Sequence, residues 1–412
     1  MADVLDVYLN QDLAGHLEEN RGKLSYTYEK TWIESDRFIP LSVTLPPQVE
    51  AFQDEVTRPF FDNLLPEGEI RAAIAKLKQL SEKNTFGLLG EIGGDCAGAV
   101  SLWQHSQKPR RNEGYAELTD TRLAEMLAAM AKRPLLVVDD ELRLSLAGAQ
   151  NKLPVYYDGK QLALPRGSAP SSHILKPGAR GYDHMPANEA FCMHLARALG
   201  LPVPDSMVLR KQQALYLVQR YDRMRMADGT ISRIHQIDFC QALNLPSQKK
   251  YEHEGGPSLA ACFEIVTKYS VQPARDRLHL ISWAIFNFLI GNADAHAKNL
   301  SLLVTREGIA LAPFYDLVST AAYKDLSTKL ALKIGGENRP EWIHRKHWQS
   351  LAEVSAANPR IVWQRMEELA EAMPPEADEM AAKLELRQDE MGTIDKLTAV
   401  IAARANHIRR KR

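Results

Sequence analysis

At 412 residues the chain is longer than one ordinary hydrophobic core supports, so two or three domains are expected. Hydrophobic residues at 45%, charged residues at 25% and a net charge of −1 describe a soluble globular protein with no whole-chain bias toward nucleic acid. Cys96, Cys192, Cys240 and Cys262 form no C-x-x-C pair or metal-ligand spacing, Met1-Ala2-Asp3-Val4 leads into a strand-like stretch so that no leader is expected, and the apolar runs are too short for a membrane span. A cytoplasmic protein with reduced core thiols and no membrane partner is expected.

Residues 1–105 read as a small α+β domain. Strand-like alternation over 4–9, a turn at Asn10-Gln11-Asp12 and a second apolar stretch over 13–17 predict a hairpin. A helix is expected over 69–80, another over 85–89, and a glycine-rich turn at 93–100 feeds a strand. Gly93-Gly94 suits a tight turn better than a phosphate cradle, because no helix follows to offer a positive end. With no nucleotide chemistry of its own, this region is expected to dock or scaffold, and residues 116–412 are expected to bind nucleotide alone. Residues 104–114, with Lys108-Pro109-Arg110-Arg111, read as a linker, and Leu118, Leu123 and Leu127 mark an amphipathic helix over 118–131.

In residues 142–154 two strand-like halves flank Ala147, Gly148, Ala149 and Gln150, small residues whose backbone amides can approach phosphates. The stretch lacks both G-x-G-x-x-G and the Walker pattern, so taken locally a plain hairpin is the stronger reading. An apolar strand over 172–176 ends in Lys176, as does the kinase strand whose lysine meets the α- and β-phosphates; a solvated edge lysine fits equally well. Residues 188–199 predict a helix stopped by Gly200, with Glu189 near its start placed either to pair with Lys176 or to suit the helix dipole. Two strands are expected between 203 and 223, leaving the sheet at Gln219, Arg220, Tyr221, Asp222 and Arg223, where kinases hold adenine through the backbone. From residue 236 the composition turns helical and ends in a basic tail.

The densest signal is residues 290–299, I-G-N-A-D-A-H-A-K-N. It follows an apolar run over 280–289 that predicts a buried helix, and precedes a hairpin over 302–311 and then Pro313-Phe314-Tyr315-Asp316. Protein kinases use this order: a catalytic Asp, an Asn five residues on, and a metal-holding Asp beyond a hairpin. Asp294 is then the acceptor of the incoming hydroxyl's proton, and Asn299 and Asp316 offer the hard oxygen ligands that Mg²⁺ prefers. Lys298 would neutralise charge on the transferred group and His296 orient the loop. For the Asp-x4-Asn spacing alone, ordinary turn-formers are the competing reading.

Together these stretches resemble the HipA family of serine/threonine kinase toxins, of the type II toxin–antitoxin systems, over nearly the whole chain. The resemblance is carried by residues 145–152 (SLAGAQNK), 172–176, Asn188-Glu189, 219–223 (QRYDR), 236–241, 250–257 (KYEHEGGP), 290–299 and 313–316, with 60–68 and 95–100 matching the family's N-terminal domain. Gln219 departs from the glutamate expected in many relatives. The resemblance implies an α+β, protein-kinase-like fold: residues 1–105 an N-terminal α+β domain, 106–235 a mixed α/β nucleotide lobe, and 236–412 a helical C-terminal lobe. It implies ATP and Mg²⁺ as cofactors and an aminoacyl-tRNA synthetase as protein substrate, whose phosphorylation stalls translation and growth and underlies persistence. It also implies a HipB-like helix-turn-helix antitoxin as partner, which binds operator DNA. Residue by residue, Asp294 becomes the catalytic base, Asn299 and Asp316 the metal ligands, and Ala147, Gly148, Ala149, Gln150 and Lys152 the nucleotide loop. Lys176, Lys298, Gln219 and Tyr221 join the ATP site, and Ser145 becomes an autophosphorylation site that ejects the loop. An aminoglycoside-type small-molecule phosphotransferase, or a non-catalytic subunit of an antitoxin–DNA complex, are the alternatives. The N-terminal domain and Ser145 loop speak against the first, the intact Asp294, Asn299, Asp316 and Lys176 against the second.

Overall fold

Two tight turns shape the start of the chain. Strand β1 (Asp3–Leu9) turns at Asn10, which has a positive φ of 58°, into β2 (Asp12–Asn20); Arg21 and Gly22, both at positive φ, then turn β2 into β3 (Lys23–Tyr28). Two-residue turns of this hand match the right-handed twist of the strands they join. In this computed structural model, which describes residues 3–105, 107, 112–130, 134–135, 145, 147–148, 150–179 and 181–410, the chain divides by its internal contacts into two units. Met1–Pro177, Leu217–Ser247 and Leu302–Gly308 form the first, and Gly178–Tyr216, Gln248–Ser301 and Ile309–Arg412 the second.

In the first unit, helices α1 (Lys30–Ile33), α2 (Asp54–Asp62), α3 (Gly68–Leu77) and α4 (Thr85–Ile92) lead to β4 (Val100–Gln104), which completes an antiparallel sheet of order β3-β2-β1-β4. Phe60 and Phe61 of α2 are fully buried, with Phe61 against Tyr26 of β3 and Phe60 against Phe61. Each such side chain removed from water contributes roughly 1.5–3 kcal/mol. After β5 (Asn112–Glu117), helix α5 (Asp120–Ala129) starts at Thr119, whose Oγ1 accepts a hydrogen bond from Arg122 N, and buries Leu123 and Met126. Strands β6 (Leu153–Tyr157), β7 (Leu162–Gly167) and β8 (His173–Pro177) pair antiparallel in the order β5-β7-β6-β8. Leu153 faces Leu175 in the β6–β8 register, which sends Lys176 to the opposite face.

The chain then gives the second unit α6 (Met185–Ala198) and β9 (Ser206–Arg210), and β10 (Ala214–Gln219) carries it back. In the first unit follow β11 (Arg223–Arg225), β12 (Ile231–Arg233), β13 (His235–Asp238) and the short α7 (Phe239–Ala242). Here the expectation of helix from 236 onward is corrected: β13 comes first, and α7 is started by a capping box between Asp238 and Gln241. The second unit resumes with α8 (Leu259–Tyr269) and α9 (Pro273–Ile290); the two strands expected next follow, β14 (Ser301–Thr305) falling mostly in the first unit and β15 (Gly308–Leu311) mostly in the second. Between β15 and α10 (Arg345–Val354) only short 3-10 turns occur, and α11 (Pro359–Lys383) and α12 (Gln388–Arg410) close the chain. Residues 280–290 of α9 are buried on every face, as their apolar run predicts.

Candidate active site

The geometry of residues 290–299 begins with the end of α9. Gly291 adopts a left-handed φ of 74°, and a Cβ there would stand 2.7 Å from Ala321 Cβ. The helix therefore ends where only glycine fits. Gly291 O accepts hydrogen bonds from Thr320 Oγ1 and Ala321 N at 3.0 Å each, and the Thr320 hydroxyl accepts one from Ala293 N at 2.7 Å. Asn292 then works in two directions. Its Oδ1 accepts from Asp294 N at 3.0 Å, an Asx turn, and its Nδ2 donates to Asn287 Oδ1 at 2.8 Å and to Asp316 O at 3.4 Å.

Asp294 is exposed, and its Oδ1 accepts a 2.6 Å hydrogen bond from Tyr251 OH. Asn299 is buried and its Nδ2 donates to Asp294 O at 3.1 Å, closing the loop over its five-residue span. With the amide so turned, Asn299 Oδ1 accepts no hydrogen bond among the described residues. Asp316 holds φ at +54°, a left-handed conformation that costs a non-glycine residue energy and tends to mark functional positions. Lys298 is buried and its carbonyl accepts from Tyr315 OH at 2.5 Å, while His296 packs edge-on against the Tyr251 ring at 5.1 Å. Asn299 Oδ1 and the Asp316 carboxylate, on loops linked through Asn292, are the oxygen types that a hard divalent cation such as Mg²⁺ prefers.

The first unit carries the proposed nucleotide residues. Gly148 has φ +107° and would put a Cβ 2.8 Å from Lys152 Nζ, which itself donates to Ala147 O. Gly148 O accepts from Glu67 N at 3.1 Å, and Gln150 Nε2 donates to Pro177 O at 3.4 Å. Ser145 is fully buried: its Oγ donates to Leu64 O at 2.7 Å and its N to Asp95 O at 3.1 Å. Its hydroxyl is therefore not at the surface. Ala149 lies outside the described residues, as do 142–144 of the first strand-like half. Lys176 is buried at 5% exposure, which removes the solvated edge-lysine reading. Gln219 is exposed at the end of β10, and the Tyr221 hydroxyl is engaged by Gln236.

Behind Gln219 and Tyr221 lies a charge cluster. Arg220 makes a two-pronged pair with Asp222 at 2.8 and 2.9 Å, and Arg223 and Arg233 each reach Asp95 Oδ1 at 3.0 Å. Ser171 Oγ bridges Asp95 and Arg220, and Gly98 N donates to Asp222 Oδ2 at 2.7 Å. Burial pushes the Asp95 carboxyl up, but the guanidiniums of Arg233, Arg223 and Arg220 overcome it and hold it below the usual carboxylate range. Burial, then Arg220, brings Arg223 down to about 10.

Thus the second unit brings Asp294, Lys298, Asn299 and Asp316 together, and the first gathers Ser145, Ala147, Gly148, Gln150 and Lys152. Glu189 stands in the second turn of α6, which has no acidic residue in its first turn, so the helix-dipole reading is withdrawn. Sequence reasoning missed Asn292, Thr320 and Tyr251. Asn292 was legible as an Asx-turn residue two before Asp294; Tyr251, 43 residues away, carried no local signal.

A helix ending in an Asp-x4-Asn loop, a hairpin and a left-handed Asp define a protein-kinase-like fold. The family model described as the HipA-like C-terminal domain matches residues 144–377, and that described as the HipA N-terminal domain matches 5–103. Y4mE of Sinorhizobium fredii is 38% identical over 416 residues, covering 98% of both chains. The serine/threonine-protein kinase toxin HipA of Shewanella oneidensis is 32% identical over 364 residues, 82% of this chain and 80% of that one. A structure of Shewanella oneidensis HipA with HipB and its operator DNA superposes with a TM-score of 0.88 at 28% identity, over 98% of this chain and 97% of that one. The chain belongs to the HipA family of serine/threonine-protein kinase toxins.

Proposed function

We propose that this chain is an ATP-dependent serine/threonine protein kinase that acts as the toxin of a toxin–antitoxin pair. The observation that carries the reading is the loop in which Tyr251 and Asn299 fix Asp294 while Asn292 holds Asp316 in a left-handed turn. Asp294 takes the proton of the incoming hydroxyl as general base. Asn299 Oδ1 and the Asp316 carboxylate would hold Mg²⁺, which would neutralise charge on the phosphates. Lys176, Lys298, Lys152 and the backbone of 147–150 receive the phosphates, and the backbone at Gln219 and Tyr221 receives adenine. On this reading residues 106–235 serve the nucleotide, 236–412 the chemistry, and 1–105 scaffold the loop.

The substrate is a protein of the translation apparatus, an aminoacyl-tRNA synthetase, and the cell compartment is the cytoplasm. The partner is a HipB-like antitoxin, through which the toxin meets operator DNA; the Shewanella oneidensis complex supports this. Ser145 is the site of self-inactivation. Its hydroxyl is sealed against Leu64 O, so the loop must leave before Ser145 can be modified. A phosphoserine carrying a charge of roughly −1.5 to −2 has no room to return.

Incubation of the chain with labelled ATP, Mg²⁺ and a whole-cell lysate tests the assignment. One dominant labelled protein, absent with Asp294→Asn, is the expected result. Equal labelling by that variant, or label only on small molecules, overturns it.

A further inference from the structure

In the sheet of order β3-β2-β1-β4, Asp6 of β1 is paired directly with His16 of β2 on one side and with Trp103 of β4 on the other. Side chains alternate faces along a strand, so His105, two residues beyond Trp103, returns to the same face. His105 N still donates to Val4 O at 3.3 Å, which prolongs the strand to that point. The register thus sets one carboxylate between two imidazoles. The Nδ1 atoms of His16 and His105 both lie 2.8 Å from the same oxygen, Asp6 Oδ1, and the three donor atoms fall within 4.8 Å of one another. On its far side, His16 Nε2 lies 3.2 Å from Glu29 Oε1.

Asp6 Oδ1 and the two Nδ1 atoms offer a cation three ligand atoms within reach of one another, and Glu29 at the far nitrogen of His16 supplies the carboxylate of a carboxylate–histidine–metal arrangement, which fixes ring orientation at metal sites. Two imidazole nitrogens and a carboxylate oxygen favour a borderline transition ion over Mg²⁺ or Ca²⁺. The Asp6 side chain is 5% exposed, that of His16 23% and that of His105 57%, so a fourth coordination position opens to solvent beside His105.

We propose that Asp6, His16 and His105, oriented by Glu29, form a site for a divalent transition-metal ion of the zinc class, which ties β2, β1 and the end of β4 together. The inference is independent of the kinase reading, and its test involves no phosphoryl transfer.

The full-length chain, stripped with a chelator and dialysed, is titrated with Co²⁺ followed by visible absorption, then with Zn²⁺ followed by calorimetry. One equivalent of each is expected, with Zn²⁺ displacing Co²⁺. His105→Gln, at an exposed position that leaves the fold intact by circular dichroism, should weaken binding at least tenfold, and Glu29→Gln about 10–100-fold. Binding by the intact chain that is no tighter than that of His105→Gln, or that is spread over several weak equivalents, overturns the site.

Discussion

Asp294 is held by Tyr251 OH on one carboxylate oxygen and exposes the other, so its chemistry and its structural role can be separated by substitution. Asp294→Asn is expected to cut phosphoryl transfer by a factor of about 10²–10⁴. Its melting temperature should stay at the wild-type value, because an exposed carboxylate with one hydroxyl contact supports little of the fold. Tyr251→Phe removes a charge-assisted hydrogen bond worth roughly 1.5–3 kcal/mol in such settings, so kcat should drop about tenfold or more while KM for ATP changes little. Steady-state kinetics on purified variants checks both. Asp316→Asn should instead raise the Mg²⁺ concentration needed for half-maximal rate and weaken ATP binding, a split that identifies a ligand and not a base. At this scale the Asp-x4-Asn spacing was read, because it operates within a few residues; the Asn292 turn is as local but was missed. Tyr251 was not readable, because its partner lies 43 residues on.

The loop proposed to hold the nucleotide is shaped by elements it does not adjoin in sequence. Gly148 at φ +107° has its oxygen held by Glu67 N, and Ser145 is held by Leu64 O and Asp95 O. Gly148→Ala combines a conformation costing of order 1–3 kcal/mol with a clash at Lys152. KM for ATP should rise tenfold or more with the fold retained. Ser145→Asp buries a charge against a carbonyl oxygen and should expel the loop, abolishing ATP binding measured by calorimetry. Ser145→Ala loses one hydrogen bond, about 1 kcal/mol, and should bind ATP within a few-fold of wild type while staying unphosphorylated at 145. Mass spectrometry of the intact chain after incubation with ATP should find phosphate on Ser145; Ser145 left unmodified while a protein substrate is labelled overturns the self-inactivation reading. The absence of G-x-G-x-x-G made this loop a weak signal for a physical reason: it has a single glycine, Gly148, and the rest of its anchoring comes from residues 64–67 and 95, distant in sequence.

Across the first unit, the contacts of Asp95 reach from the N-terminal region to residues 145, 171, 220, 223 and 233. We therefore revise the expectation that residues 116–412 bind nucleotide alone. Removing residues 1–105 strands Arg220, Arg223 and Arg233 without Asp95, and breaking such a buried pair typically costs 3–5 kcal/mol. Asp95→Asn should lower unfolding stability by about that amount in urea titrations, and the truncated chain should fail to fold. A second unit-wide effect is acid sensitivity. His235 is buried with Nε2–H donated to Leu41 O, and burial pushes its pKa down to about 4. The unfolded chain protonates it near 6.5, so its contribution is complete above that pH and is lost as pH falls toward 4, a change on the order of 3 kcal/mol. Asp95 and Asp222, both held low, add their losses only at lower pH, below the ordinary carboxylate range. Melting temperature should therefore fall between pH 6.5 and 4.5, and His235→Gln should flatten that limb.

What the sequence determined by itself is whatever runs on short-range physics. The apolar run of α9 and its glycine stop, the loop that follows, the β14–β15 hairpin and the helices at 188–199 and 118–131 all follow from periodicity, capping and turn chemistry within about a dozen residues. Tertiary structure alone decided which distant groups meet. It sealed Ser145 against Leu64, gathered Asp95 with three arginines, set Tyr251 on Asp294, and brought Asp6, His16 and His105 to one face of a sheet. Those pairings depend on strand register and buried charge balance. No local preference encodes them, because each partner alone is an ordinary serine, aspartate, tyrosine or histidine until packing excludes water around it.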